Sequence, residues 1–404
     1  FFQADDGIRD RSPSRGLGDV YKRQGYVRDE SDAEAGLPSI GTFLDKDRSP
    51  LNPHWFPLGS ILIYILVLFR SIIELFTDVN PMDMRYVGRP LAALADVGSV
   101  AMVFVLGRRF YGTGVGLLAA GFTSLAVIHI QNSHFFRPET FSVFFTLVSF
   151  WAMWRMVERK QLKDSAFLGL ALGLAIAPKI SILPILAPLF LVYLYRVLDE
   201  VEGNWSAITP ELVKRIFWHA VLASIIAAGV FLLTSPYVIL DIGSFLGDIG
   251  AQTLMARNAG MWPFTIQYID TLPFIYQIQQ SSVWGLGIPL GMVSWISIPF
   301  TVAVAIFSGA NRRADLFVLA WVVPYFVFLQ TFEVHFLRYV FPLMPIMIIM
   351  GSRMLIWMVT TYRPLDNHLV RPRSDPARFI PYFTVGVVVS VSYTHLTLPT
   401  ILLV

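Results

Sequence analysis

A succession of long apolar runs constrains this chain more than any other feature of its sequence. Of its 404 residues, 55% are hydrophobic and only 15% are charged, and the mean hydropathy is +0.60. A helix rises about 1.5 Å per residue, so about 20 apolar residues cross a bilayer. The runs lie at residues 57–76, 89–106, 114–130, 140–156, 166–177, 180–195, 216–234, 283–307, 316–332, 339–359 and 379–389. We therefore predict an all-α, polytopic integral membrane protein.

The basic residues between these runs fall into alternate loops. Lys and Arg are concentrated at residues 108–109, 155–163, 196–215, 312–313 and 363–378, and are sparse at 131–139, 178–179, 235–282 and 331–338. The positive-inside rule assigns the first set to the cytoplasm and the second to the outside. Because the charges are scattered between apolar runs, nucleic-acid binding is not expected. The chain has no cysteine, which excludes disulfides and thiolate metal sites.

The run at 57–76 does not fit this alternation as a full span. It carries Arg70 and Glu74, which are spaced i and i+4 and so share one helix face. We interpret the run as a helix lying in the membrane interface. A plain transmembrane helix with a charged last turn is the alternative.

A polar patch at residues 131–141, QNSHFFRPETF, separates two apolar runs on the predicted outer side. Polar and charged residues such as Asn132, His134, Arg137 and Glu139 are costly beside hydrocarbon unless they face water, a partner or a ligand. The patch is therefore a candidate site. Glu139 also follows Pro138 in the first turn of a predicted helix, where a carboxylate simply complements the helix dipole, and that interpretation stays open.

Two further cations stand at the outer ends of apolar runs. Lys179 follows a short run that Pro178 breaks, where it can pair with a lipid phosphate or reach the headgroups by extending its side chain. Arg338 precedes Tyr339 at the start of another run. Both residue types favour the membrane interface, so the two residues could simply anchor the helix there. His54 and His134 could share a divalent metal with Glu139, but no spacing supports this, so no metal or other cofactor is expected. We interpret His129 and His335 as packing or interface residues.

The two ends of the chain differ from the rest. Residues 1–24 and 391–404 resemble translated sequencing-adapter sequence at the edge of a metagenomic contig. We divide the remainder into a partial first outer loop at 25–56 and a truncated transmembrane domain at 57–390.

Six segments, in order, resemble a GT-C glycosyltransferase over about residues 49–352. They are RSPLNPHWFPLGSILIYIL, GRPLAALADVGSVAMVFVLGRRFYGTGVGLLAA, IQNSHFFRPETFSVFF, GLALGLAIAPKISIL, SPYVILD and FLRYVFPLMPI. The chain is most similar to the bacterial family 39 enzymes, which are similar to dolichyl-phosphate-mannose protein mannosyltransferases and to lipid A aminoarabinose transferase. The resemblance implies a GT-C bundle of membrane helices with its active site on the outer face.

The same resemblance implies a reaction and its partners. A sugar, mannose or another hexose, passes with inversion from a polyprenyl-phosphate carrier to a hydroxyl of a lipid, glycan or protein acceptor. The expected location is a bacterial inner membrane, with the active site facing outward. A transporter or flippase of a lipid-linked sugar is the alternative, although we find no internal repeat to favour it.

The resemblance also implies roles for individual residues. Glu139 stands at the family's second acidic position, where Asp is more usual, and is the candidate catalytic carboxylate. Lys179, Arg338 and Tyr339 are expected at the donor phosphate, and we place Arg137 with them. Asn132, His134 and His54 are expected to line the site.

The family's general base is usually an Asp followed by Glu in the first outer loop. Asp29-Glu30 is the only Asp-Glu pair ahead of the first apolar run, which makes Asp29 the one alternative to a base that lies outside this chain. We expect the base to have been lost with the native N-terminus, and this chain therefore to be inactive.

Overall fold

The fold was examined in a computed structural model that describes residues 43–49, 51–78, 81–202, 208–309 and 311–361. The predicted adapter-like ends, the pair Asp29-Glu30 and the apolar run at 379–389 lie outside these residues. Within them the chain forms helices and connecting turns, as predicted. The α-helices are α1 (Ser60–Glu74), α2 (Arg85–Tyr111), α3 (Thr113–Leu125), α4 (Val127–Ser133), α5 (Pro138–Arg159), α6 (Leu162–Ile176), α7 (Leu186–Val201), α8 (Pro210–Thr234), α9 (Tyr237–Leu240), α10 (Ile242–Arg257), α11 (Ile275–Gln280), α12 (Ile288–Phe307), α13 (Arg312–Leu329), α14 (Leu337–Val340) and α15 (Met344–Thr361).

Six helical segments of the described chain are long and apolar enough to cross a membrane. They are Arg85–Tyr111, Pro138–Arg159, Ile180–Val201, Pro210–Thr234, Ile288–Phe307 and Leu337–Thr360. Helices α3 and α4 together make a seventh candidate, bent by 59° at the break between them. The prediction of a polytopic membrane protein is confirmed. Helix α1 has 15 residues and is not among these candidates, so its interfacial location stays a prediction.

Ion pairs gather the basic loops at one end of the bundle, which we call the basic end. Arg109 pairs with Glu158 where α2 and α5 end, and Arg313 lies 2.6 Å from Asp199, which brings the start of α13 to the end of α7. Residues of the other loop set meet at the opposite end. The two sets of loops predicted from the charges therefore lie at opposite ends of the bundle. Which of them faces outward remains a prediction from the positive-inside rule.

The bundle is organised around its last described helix. In the apolar window of Leu337–Thr360, 89% of residues are buried, against 11% for Pro210–Thr234. The first segment therefore lies at the centre and the second at the edge. Small residues allow that edge helix to pack closely against α6. A Cβ on Gly169 would come within 2.4 Å of the carbonyl oxygen of Ala223, so only glycine permits this approach. Such close backbone approach is the usual way helices associate in lipid.

Candidate active site

Three chain segments that are distant in sequence converge at the end of the bundle opposite the basic end. Helix α5 begins there with Pro138 at its first position, followed by Glu139. The break between α6 and the 3₁₀ turn Ile180–Ile185 supplies Lys179, whose extended backbone follows Pro178. Helix α14 supplies Arg338 and Tyr339. Each segment is a helix end or a break, so its polar side chains are presented where spans start rather than along their length.

The centre of the site is one carboxylate held by two cations. The Nζ atom of Lys179 donates a hydrogen bond to Oε1 of Glu139 at 2.8 Å, and Nε of Arg338 lies 3.8 Å from the same oxygen. Glu139 is only 5% exposed, whereas the side chains of Lys179 and Arg338 are 18% and 21% exposed. The carboxylate is therefore buried with its charge compensated, and the two cations keep a side accessible to a ligand. We call these three residues the charged triad.

Aromatic rings surround the two cations. The Lys179 ammonium lies 5.1 Å from the centre of the Tyr339 ring, and the Arg338 guanidinium lies 4.2 Å from that of Phe336. The Tyr325 hydroxyl donates to the carbonyl oxygen of Tyr339 at 3.3 Å. Cation–π contacts of this kind are favourable and strengthen when water is excluded. They restrict where Lys179 and Arg338 can move when a ligand binds.

An apolar cavity of about 540 Å³ opens beside the charged triad. Lys179 and Tyr339 form part of its wall. Most of the remaining lining is apolar, contributed by Phe56, Leu58, Ile180, Leu183, Phe231, Val238, Phe245, Ile249, Phe328, Leu329 and Phe332. An apolar cavity with an ammonium group in its wall suits a ligand that has a hydrocarbon part and an anionic part.

Gly59 fixes the wall of the cavity at Lys179, and the sequence analysis missed this role. Its amide donates to the carbonyl oxygen of Pro178 at 3.2 Å. A Cβ built on Gly59 would lie 1.7 Å from the carbonyl oxygen of Ala177, a distance no side chain tolerates. Glycine is therefore required for this close approach. The only signal in the sequence is a glycine at the start of an apolar run.

Residues 43–49 and 51–56 are bound to the loop that follows α8. Asp241 accepts a hydrogen bond from Nδ2 of Asn52 at 3.1 Å and lies 3.8 Å from Nζ of Lys46. Asp248 accepts one from the amide of Phe56 at 2.7 Å. Two of the segments that carry the family resemblance, SPLNP and SPYVILD, thus meet in space. Since Phe56 and α10 both line the cavity, this contact holds one of its walls.

Asp241 is buried within this contact, outside the membrane-spanning helices. Burial alone would raise the pKa of its carboxyl. Hydrogen bonds from Asn52 and Ser244, together with nearby Lys46, outweigh burial and hold that pKa below its ordinary value. The carboxylate is therefore the form that the folded loop stabilises.

The remaining predicted site residues lie outside the charged triad. Arg137 is half-buried, with its guanidinium 5.2 Å from the centre of the Phe135 ring. The side chain of Asn132 is buried and donates to the carbonyl oxygen of Ile128 at 2.7 Å. His134 and His54 are exposed, and none of the four lines the cavity. Their roles remain predictions. The role of Asp29 as a candidate base also remains a prediction, because Asp29 lies outside the described residues.

The structure also shows a buried pair that the sequence analysis did not identify. His129, which is fully buried, lies with Nδ1 2.6 Å from Oδ1 of Asp96 on α2. The pair joins α2 to α4 within the bundle, consistent with the packing role expected for His129. Among the described residues, no three His, Asp or Glu side chains are grouped so that they could hold a metal ion.

Comparison with known proteins agrees with the resemblance seen in the motifs. Residues 67–239 match a family model described as dolichyl-phosphate-mannose-protein mannosyltransferase, so the predicted resemblance is confirmed for that part of the chain. No curated protein sequence matches this chain significantly.

Two solved structures align with most of this chain. The apo oligosaccharyltransferase of Archaeoglobus fulgidus is 14% identical, with a TM-score of 0.51 over 85% of this chain and 48% of that one. ArnT from Cupriavidus metallidurans bound to undecaprenyl phosphate is 14% identical, with a TM-score of 0.49 over 99% of this chain and 73% of that one. The first similarity confirms the predicted GT-C type of membrane fold. This chain spans about half the length of that enzyme.

Proposed function

We propose that this chain forms the membrane part of a glycosyltransferase. It moves mannose or another hexose from a polyprenyl-phosphate carrier to an acceptor hydroxyl on the outer face of a bacterial inner membrane. The family model that matches residues 67–239 is described by a dolichyl-phosphate-mannose donor and a mannosyl transfer to protein, and it supports this donor class. The acceptor, whether lipid, glycan or protein, is left open.

The observation that carries the proposal is the position of the charged triad beside the apolar cavity. Lys179 and Arg338 supply two positive charges against the single negative charge of Glu139, so the triad carries a net charge of +1. A phosphodiester that joins a sugar to a polyprenyl chain carries a charge of −1. Its phosphate can therefore pair with the exposed sides of the two cations, while the first isoprene units enter the cavity.

In the proposed reaction the acceptor oxygen attacks the anomeric carbon of the sugar, and the bond from that carbon to the phosphate oxygen breaks. The sugar leaves with inverted configuration on the acceptor, and the carrier departs as polyprenyl phosphate. The proton of the acceptor hydroxyl passes to a carboxylate base. Lys179 and Arg338 stabilise the negative charge that grows on the phosphate as the bond breaks.

The contacts of Glu139 favour a positioning role over direct proton transfer. One of its oxygens meets both cations, so the carboxylate holds Arg338 next to Lys179, which lines the cavity. Arg137, half-buried at the same helix start, is proposed as a third cation for the donor. The base is then a different carboxylate, and Asp29 is the candidate for it within the given sequence. On this proposal the described residues form the donor half of the site.

Donor binding by the full chain tests the proposal. The chain, reconstituted in nanodiscs, is expected to bind a polyprenyl phosphate at least tenfold more tightly than the corresponding polyprenol, because one charge-assisted contact contributes about 1.5 to 3 kcal/mol. Arg338→Met should remove most of this preference. The matched control is Arg257→Met, since Arg257 is exposed on the same side of the bundle and is not part of the charged triad.

Equal affinity for the phosphate and the alcohol would contradict the proposed donor site. Turnover is measured separately, with a donor labelled in its sugar and incorporation into acceptor as the readout. Movement of the labelled donor across a liposome membrane without sugar release would instead support the transporter alternative, which no observation in the structure favours.

A further inference from the structure

A second crevice opens at the basic end of the bundle, between the C-terminal parts of α2 and α5. Its volume is about 570 Å³, and it is lined by Phe104, Val105, Arg108, Arg109, Trp151 and Glu158. It shares no residue with the cavity beside the charged triad. The proposed transfer reaction gives it no role.

The lining changes from apolar to charged along the helix axes. On α2, Arg108 follows Phe104 by four residues, or about 6 Å of helix. On α5, Glu158 follows Trp151 by seven residues, or about 10 Å. Both helices run toward the basic end, so the charged groups stand at its rim and the aromatic groups lie deeper in the span. The crevice therefore has the polarity of a lipid molecule standing with its headgroup at the rim.

The charges at the rim are organised around a bidentate pair. Nε of Arg109 donates to Oε1 of Glu158 at 2.8 Å, and a terminal nitrogen of the same guanidinium contacts Oε2. Arg108 is exposed, and its guanidinium makes no hydrogen bond or ion pair with any described residue. Together the three side chains carry a net charge of +1. Arg155, which lies above the Trp151 ring at 5.3 Å, adds nothing to this sum because it pairs with Asp164.

We propose that this crevice binds an anionic phospholipid of the cytoplasmic leaflet, with the phosphodiester at Arg108 and the glycerol and upper acyl chains against Phe104 and Trp151. A headgroup charge of −1 balances the rim. Basic sites between membrane helices on the cytoplasmic side commonly recognise such headgroups, and tryptophan is favoured at this depth. A free phosphate shares the attraction to Arg108 but gains nothing from the apolar depth of the crevice.

Native mass spectrometry of the purified full chain tests the proposal. With phosphatidylglycerol and phosphatidylethanolamine offered in equal amounts, the chain is expected to retain phosphatidylglycerol preferentially. Arg108→Gln should weaken phosphatidylglycerol binding about fivefold, as expected for one arginine at a membrane surface. Arg312→Gln is the matched control, because Arg312 is exposed at the basic end and lies outside the crevice. Arg108→Lys keeps the charge and should retain most of the affinity.

Three results would overturn the proposal. The first is unchanged phosphatidylglycerol binding by Arg108→Gln, and the second is equal retention of phosphatidylethanolamine by the unmodified chain. The third is displacement of phosphatidylglycerol by the same concentration of soluble glycerol phosphate, which would indicate a plain anion site. Thermal unfolding of each variant accompanies the measurement. Loss of binding by Arg108→Lys together with a lowered melting temperature would assign the effect to folding and count against the proposed headgroup contact.

Discussion

Replacing Lys179 by Met removes the closer of the two cations that compensate the buried carboxylate of Glu139. At an effective dielectric constant of about 20, unit charges attract by about 6 kcal/mol at 2.8 Å and about 4 kcal/mol at 3.8 Å. Arg338 therefore retains a substantial part of the compensation. Breaking a fully buried pair typically costs about 3 to 5 kcal/mol, so we expect Lys179→Met to lower the free energy of unfolding by about 2 to 4 kcal/mol.

A second substitution separates this loss of stability from the loss of donor binding. Glu139→Gln, made in the Lys179→Met background, removes the uncompensated charge and should restore unfolding stability to within about 1 kcal/mol of the unmodified chain. It restores no positive charge, so affinity for polyprenyl phosphate should stay at least tenfold reduced. Unfolding is followed in detergent by titration with a denaturant, and binding is measured in nanodiscs on the same preparations.

The reasoning fails if the double variant is as unstable as Lys179→Met alone. In that case the cost would lie in lost packing of the lysine side chain rather than in the uncompensated charge of buried Glu139. Donor affinity equal to that of the unmodified chain would refute the assignment of Lys179 to the phosphate. Lys163→Met serves as the control for a generic loss of positive charge, because Lys163 is exposed near the basic end.

Other features of the structure give three further predictions. Gly59→Ala should distort the cavity wall, because its Cβ would overlap the carbonyl oxygen of Ala177, and should reduce polyprenyl-phosphate binding while leaving helix content unchanged by circular dichroism. The pKa of Asp241 is lower in the folded chain than in the unfolded one. Its contribution to stability is therefore complete above about pH 4 and is lost as the pH falls through the folded pKa. Limited proteolysis of the loop that follows α8 should accelerate only in that acidic range. Since the chain lacks cysteine, His134→Cys and Gln161→Cys report orientation without background, and an impermeant thiol reagent applied outside intact cells should label the first and not the second.

Hydropathy predicted the helices well and their interruptions poorly. The runs at 89–106 and 140–156 lie within Arg85–Tyr111 and Pro138–Arg159, which are longer because helical hydrogen bonding continues into the polar interface. The run at 114–130 is apolar except for Thr123, Ser124 and His129 and predicts one straight span. The structure instead bends it by 59° at Ala126, where neither proline nor glycine marks the break. Thr123 and Ser124 stand just ahead of the break, and their hydroxyl groups donate hydrogen bonds to the carbonyl oxygens of Ala119 and Gly121. Such bonds often accompany helix bends, so the sequence carries a sign of this bend that hydropathy does not read.

The sequence indicates which charged residues could form a site, but not their geometry. Glu139, Lys179 and Arg338 are candidates because each stands at the end of an apolar run or in a motif. That both cations meet one oxygen of Glu139 depends on how three segments pack together, which spacing along the chain does not encode. The pairing of Asp96 with His129 was missed for a related reason. Asp96 lies within an apolar run, and its partner stands 33 residues away on a different helix.

The burial of the central helix also has a consequence for how the chain is made. Helix α15 packs against α12, α3, α2 and α13, all of which leave the ribosome before it. Until it arrives, those helices enclose a gap that lipid or the translocation machinery must occupy. Native packing can therefore be completed only late in synthesis, and the earlier helices depend during that interval on contacts that the finished protein discards.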